Sequence, residues 1–196
     1  MTWRTARLPL LAATLLAVAG AAVPAQRAAL APVLDGLRWG ETSDALARHF
    51  GGRTLRLAPP IAFGDSYVDV ALRGQIVAGY RFAVYFQMDR ASGRLKRVML
   101  ERQRHGANPM VFRAVVAALT RDYGAPALRC ALPPSPRTGY QGTVERLWRP
   151  DGMTVRAVFR DTTLEAAEGC VAAGSSACGL AGHLYVQILP GHAGCA

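Results

Sequence analysis

The chain has 196 residues, 51% of them hydrophobic and 18% charged, and its 23 Lys+Arg against 13 Asp+Glu give a formal charge of +10. That length suffices for one folded domain burying roughly 70% of the surface its unfolded form exposes, and so few charges among so many apolar residues exclude a disordered tail protein. The one long apolar stretch lies at the extreme N-terminus, which excludes a polytopic membrane protein.

That stretch has the anatomy of a secretion signal. Arg4 and Arg7 precede an apolar run from Leu8 to Ala22, and Val23-Pro24-Ala25 supplies the small residues a signal peptidase reads, so cleavage is expected after Ala25. The run is shorter than the roughly 20 residues a spanning helix needs. No cysteine near the cleavage site offers a lipid attachment point. The mature chain is therefore expected to be soluble, periplasmic or secreted, and without a permanent membrane anchor. Its charge falls to +8, because residues 1–25 hold two arginines and no acid. A basic exported protein suits an anionic partner such as a membrane surface, a polyanionic glycan or nucleic acid. Lys96 is the single lysine, however, and heavy Ala, Gly and Arg usage indicates GC-rich coding bias, so nucleic acid is not the expected partner.

Residues 26–35 read as an Ala/Pro linker and 36–196 as a single domain. A short helix is expected from Asp44 to Phe50, capped by Thr42 or Ser43 and ended by Gly51-Gly52. The period then changes to two. Val68, Val70 and Leu72 alternate with polar or small neighbours, and Arg73-Gly74 is read as a turn. Tyr80, Phe82, Val84, Phe86 and Met88 make a long strand, and Asp89 to Gly93 reverses the chain into a strand over 95–102. A second helix is capped by Asn108, carries Pro109 in its first turn and an apolar stripe of Phe112, Val115, Val116, Leu119 and Tyr123, and stops at Gly124 and Pro126. Strands over 143–149 and 153–160 flank the hairpin signal Pro150-Asp151-Gly152, and 183–189 supplies the last strand. The fold class is thus α+β: an antiparallel sheet of about six or seven strands with two helices packed on one face. The endings His49-Phe50-Gly51 and Asp122-Tyr123-Gly124, each before a run of strands, suggest a duplicated helix-plus-meander unit.

Four cysteines in an exported chain favour two disulfides and admit three pairings. Cys170 and Cys178 bracket a Gly/Ala/Ser-rich loop that is cheap to close, which leaves Cys130 to tether Cys195 at the C-terminus. A metal site of His192, Cys195 and other thiols lacks the paired short spacings of structural zinc, and no C-x-x-C supports redox chemistry. No metal or cofactor is expected.

Trp39-Gly40 with Thr42 and Ser43 before a short helix, the aromatic strand from Tyr80 to Met88, Gly93-x-Leu95-x-x-Val98, Tyr123-Gly124-x-Pro126, and Trp148 before the Gly152 hairpin form a set. It resembles small exported α+β domains, namely the SmpA/OmlA outer-membrane lipoprotein domain and β-lactamase-inhibitor-like repeats, across residues 36–189. The resemblance implies helices packed on an antiparallel sheet and a non-catalytic role in protein contacts. The chain departs from the lipoprotein pattern in having no lipidated cysteine and in adding a cysteine-bracketed loop between its last two strands.

Catalytic signatures are missing from the sequence. Imidazoles occur only at His49, His105, His183 and His192. Gly174-Ser175-Ser176-Ala177-Cys178 fails the nucleophile-elbow pattern at its last position, and Glu165 and Glu168 fit a shared solvated face better than a glycosidase couple. Arg94, Lys96, Arg97, Arg102 and Arg104 form the densest basic run, read first as a solvated edge and second as anion contacts. Trp39, Trp148 and Tyr140 are the candidate partner surface, with the loop from Cys170 to Cys178 beside them. The expected function is an exported, non-enzymatic module recognising a protein or cell-envelope component. The alternatives are a periplasmic enzyme assembled from distant residues such as His49 and Asp122, and an anion or lipid binder using the arginines.

Overall fold

A computed structural model describes residues 28–102, 109–133, 142–161 and 183–195. Among them the chain forms α1 (Ala31–Leu34), α2 (Ser43–Phe50) with a 3-10 turn (Gly51–Arg53), then β1 (Thr54–Phe63), β2 (Ser66–Val77), β3 (Tyr80–Asp89) and β4 (Leu95–Glu101). After these come α3 (Pro109–Tyr123) and the strands β5 (Leu128–Leu132), β6 (Gly142–Trp148), β7 (Met153–Asp161) and β8 (His183–Pro190). All eight strands belong to one antiparallel sheet in the order β1-β2-β3-β4-β8-β7-β6-β5. A helix followed by a four-stranded meander therefore occurs twice, and the units join where the last strand of each pairs, β4 against β8. The α+β class holds, but with eight strands and three helices rather than the six or seven and two expected.

The local chemistry explains the helices. The Thr42 hydroxyl accepts from Ala45 N at 3.3 Å and satisfies an early amide of α2, while Arg48 and His49 in the last turn favour the negative end of its dipole. At α3 the stripe of Phe112, Val115 and Leu119 is buried, and Gly124 N donates to Thr120 O to close the last turn. Both helices bury their apolar sides against one face of the sheet. In register across the central strands, Val84 faces Leu100, Leu100 faces Val186 and Val186 faces Ala157, one row of a single core that also holds Leu46, Phe50 and Val115. Phe50 of α2 stacks on Phe86 of β3 with centroids 5.0 Å apart, fixing the helix on the sheet.

Four features depart from the sequence reading. From residue 28 onward the expected linker is part of the domain: Leu30 and Val33 of the α1 segment are fully buried in the core, and Ala29 N donates to the Asp122 carboxylate of α3 at 2.6 Å. The two unforeseen strands, β1 and β5, are the two edges. β1 has register shifts around Pro59 and Pro60, and β5 is only five residues long, so neither shows a clean alternation. Finally, Arg73-Gly74 is a bulge inside β2, opposite Ala83, and not a turn; the chain reverses instead at Ala78-Gly79. At φ +72° Gly74 adopts a conformation that serves a turn or a bulge equally well, which is why sequence alone misplaces it.

Cys130 and Cys195 lie at disulfide distance, with Cα atoms 6.2 Å apart, whereas Cys170 and Cys178 lie outside the described residues. The tail leading to Cys195 crosses the helix-free face of β7, β6 and β5. The Thr154 hydroxyl donates to Gly191 O at 2.8 Å and accepts from Ala193 N at 2.9 Å, and Arg156 donates to Gly194 O. These bonds and the crosslink hold the terminus down together. With the partners 65 positions apart, C130S/C195S should lose about 4 kcal/mol of unfolding free energy in the chain-entropy model. Urea denaturation of oxidised wild type against the double variant measures it, and reductant should destabilise only the wild type if this is the bond it breaks.

Candidate functional site

The helix-free face of the sheet carries a continuous row of residues: Leu55, Ala71, Tyr85, Met99, Gln187, Arg156, Leu147 and Leu128, each opposite the next across neighbouring strands. Its two ends differ. On the β5–β7 side the C-terminal tail covers the face, and Thr154, Glu145 and Val158 are fully buried there. In the middle, Met99, Val158 and Tyr185 form a small cluster with Phe63 and Tyr85 packed against it. On the β1–β3 side the face opens into a depression of about 660 Å³.

That depression is lined by Leu55, Leu57, Ile61, Ala71, Ala83 and Tyr85, with Arg73 and Arg81 as its cations and no acidic side chain. Ile61 is 41% exposed, and Leu55, Leu57 and Tyr85 beside it are partly exposed, so the apolar side chains form a patch. Each part has a local cause. The register shift of β1 between Arg56 and Ile61 bends the edge strand, and the β2 bulge interrupts its pairing with β3. A side chain at Gly74 would begin 3.6 Å from Arg81 Nη1, so the guanidinium lies close over the bulge. Neither Arg73 nor Arg81 has an ion-pair partner among the described residues, and both are exposed.

The basic run singled out from the sequence has a different fate. Lys96 Nζ lies 2.8 Å from Asp65 and 3.5 Å from Asp89, and Arg97 donates to Asp65, to Gln87 and to Ser66 Oγ. Arg94 donates to Gly40 O at 3.3 Å. The Arg102 guanidinium lies 5.1 Å from the Tyr80 ring centroid, with its Nη1 buried. Arg104 lies outside the described residues. Lys96 and Arg97 are thus occupied within the fold and do not form the anion site the sequence suggested, because Asp65, 31 positions upstream, arrives from the β1–β2 turn.

The candidate partner residues are corrected similarly. Trp148 is 1% exposed and donates its indole N–H to Gly124 O at 2.9 Å, so it is a core residue locking the end of α3 to β6 and cannot touch a partner. Trp39 is half-buried against the core. Tyr140 lies outside the described residues. His49 and Asp122 are not brought together: His49 Nε2 lies 2.9 Å from Asp35 O and its ring fills the space a side chain at Gly36 would need, while Asp122 holds Ala29 N and Arg121. A pair that sequence reasoning missed is His183 Nε2 with Glu101 Oε1 at 2.6 Å, created by the β4–β8 junction. A carboxylate orienting an imidazole is one component of a nucleophile-activating arrangement, but neither residue lines the depression. Cys130, Cys195 and Glu145 gather within 4.8 Å, as metal ligands would. Their sulfurs are at disulfide distance, and Arg156 lies 3.8 Å from the Glu145 carboxylate, an arrangement that fits a crosslink beside an ion pair better than a cation site. His192 takes no part in that grouping.

Comparison with family models, with curated proteins and with solved structures returns no match for this chain. Its function therefore has to be argued from the site itself.

The charge cluster gives a direct prediction. Hydrogen bonds from Lys96 and Arg97 lower the Asp65 carboxyl to about 2 from its ordinary 3.8. A carboxylate depressed in the folded state stabilises fully above its unfolded value, and that contribution is lost as pH falls from about 4 towards 2. Half-exposed as Asp65 is, the effect should be small. Denaturation midpoints should show a shallower acid slope across that window in Asp65→Asn than in wild type.

Proposed function

We propose that this chain is an exported, non-catalytic binding module that recognises a protein or cell-envelope component through the helix-free face of its sheet. The observation that carries the reading is the contrast between the two faces. One is closed by helices over a continuous core, whereas the other leaves half-exposed Leu55, Leu57, Ile61 and Tyr85 around an open depression on β1–β3. Large apolar side chains gathered on one exposed surface are the usual mark of recognition.

The twice-repeated helix-then-meander supports the likeness to SmpA/OmlA and β-lactamase-inhibitor-like domains, and with it a role in contacts rather than turnover. Export rests on the N-terminal signal and agrees with the Cys130–Cys195 pairing, since such crosslinks persist in oxidising compartments. The sheet is a rigid platform for this purpose. Tyr85 is held between Ala71 and Met99 in the register, so the contact surface is fixed before any partner arrives.

Affinity capture from envelope extract tests the proposal. Immobilised wild type should retain a component that Ile61→Asp retains at least tenfold less, while Met110→Asp, on the 65%-exposed outward side of α3, should retain as much as wild type. Equal capture by all three proteins, or turnover in a broad substrate screen with no face-dependent capture, would overturn it.

A further inference from the structure

We propose that the depression over β1–β3 binds an anionic amphiphile, with an acyl chain lying on Leu55, Leu57, Ile61 and Tyr85 and a carboxylate or phosphate head held by Arg73 and Arg81. The inference rests on the helix-free face being the binding face and specifies what that face takes.

Size is the first argument. About 660 Å³ lies within the roughly 300–1,000 Å³ of small-molecule sites, which are mostly apolar with a few placed polar groups. A protein partner adding a strand here would need main-chain donors from β1. Pro59 and Pro60 provide none in the middle of that edge, so strand addition is disfavoured where the apolar side chains are densest.

Charge is the second. The lining holds two guanidiniums and no carboxylate, and neither cation is paired among the described residues. Other arginines, such as Arg48 and Arg129, also have no ion pair among the described residues, but Arg73 and Arg81 stand together at one apolar depression with no acid in its lining. Two unpaired arginines beside an apolar surface match an anion with an apolar body, and arginine forms forked hydrogen bonds to carboxylate and phosphate alike.

The third argument is polarity along the groove. Ile61 lies opposite Val68, Leu55 opposite Ala71, and Arg81 opposite Ile76 near the β2–β3 turn. From Val68 to Ile76 the strand covers roughly 25 Å at about 3.3 Å per residue. Apolar lining thus occupies one end and the Arg73–Gly74 bulge with Arg81 the other. A medium-length single chain with one charged end fits that gradient, whereas a polyanion would leave the apolar end uncovered.

Isothermal titration with dodecanoate, dodecyl phosphate and dodecyltrimethylammonium, each below its micellar concentration, is the test. Dodecanoate, dodecyl phosphate or both should bind with one-site stoichiometry and at least tenfold more tightly than the cationic analogue. R73Q/R81Q should weaken the anion at least tenfold, and Ile61→Asp should abolish it, with unchanged circular dichroism and melting temperature showing intact folds. Which anion binds more tightly identifies the head group as carboxylate or phosphate. Equal binding of the cationic analogue, or unchanged affinity in R73Q/R81Q, would overturn the inference. Should no amphiphile bind while Ile61→Asp still loses the captured envelope component, the ligand assignment fails and the binding face stands. Loss of neither would remove both.

Discussion

The pairing of β4 with β8 is the constraint on which this molecule depends. A four-stranded meander with one helix has too little apolar surface to build a thick core, and its last strand would present an open edge. Joining two such units at those strands removes both edges at once. It also aligns Val98 with Ile188 and Leu100 with Val186, so that two half-cores become one. A one-residue slip at this junction would turn the two core residues of one strand to the other face while those of its neighbour stayed inside, so the pairing register is fixed by the core itself.

The same junction makes the opposite face continuous, and the two halves of the chain use it differently. In the second half the face is consumed by the chain's own tail, which Thr154, Arg156 and Cys130 hold in place. Glu145 and Arg156 are buried beneath it as an ion pair, an arrangement that serves geometric specificity better than raw stability. In the first half nothing among the described residues plays the part of the tail. The bends in β1 and β2 that make the depression are the local irregularities that would otherwise be flaws in a regular sheet.

Much of this fold is legible in the sequence, and the physical reason is burial on one side. β3, β4, β7 and β8 are interior strands with one face in the core, so Phe82, Val84, Phe86 and Met88 must alternate with residues of the other face. Pro150-Asp151-Gly152 reads correctly because Asp151 and Gly152 both adopt positive φ in the hairpin turn. Edge strands obey no such rule. β1 is exposed along most of its length, so Ala58-Pro59-Pro60 looks like loop. The α1 segment is equally opaque, since only Leu30 and Val33 of it are buried.

The candidate site suffers most from this asymmetry, because it is built on the illegible edge. Arg73 and Arg81 lie on β2 and β3, but what gives them meaning is their position beside Leu55, Leu57 and Ile61 of β1, a strand the sequence does not announce. Conversely, Arg94, Lys96 and Arg97 draw attention as a dense run, yet density along the chain says nothing about acids folded in from elsewhere. Asp65, from the β1–β2 turn, pairs with two of them. A cation available to a partner is therefore recognised by what the tertiary structure leaves unpaired. Several arginines meet that criterion, and Arg73 and Arg81 are the two of them that also line the apolar depression over β1–β3.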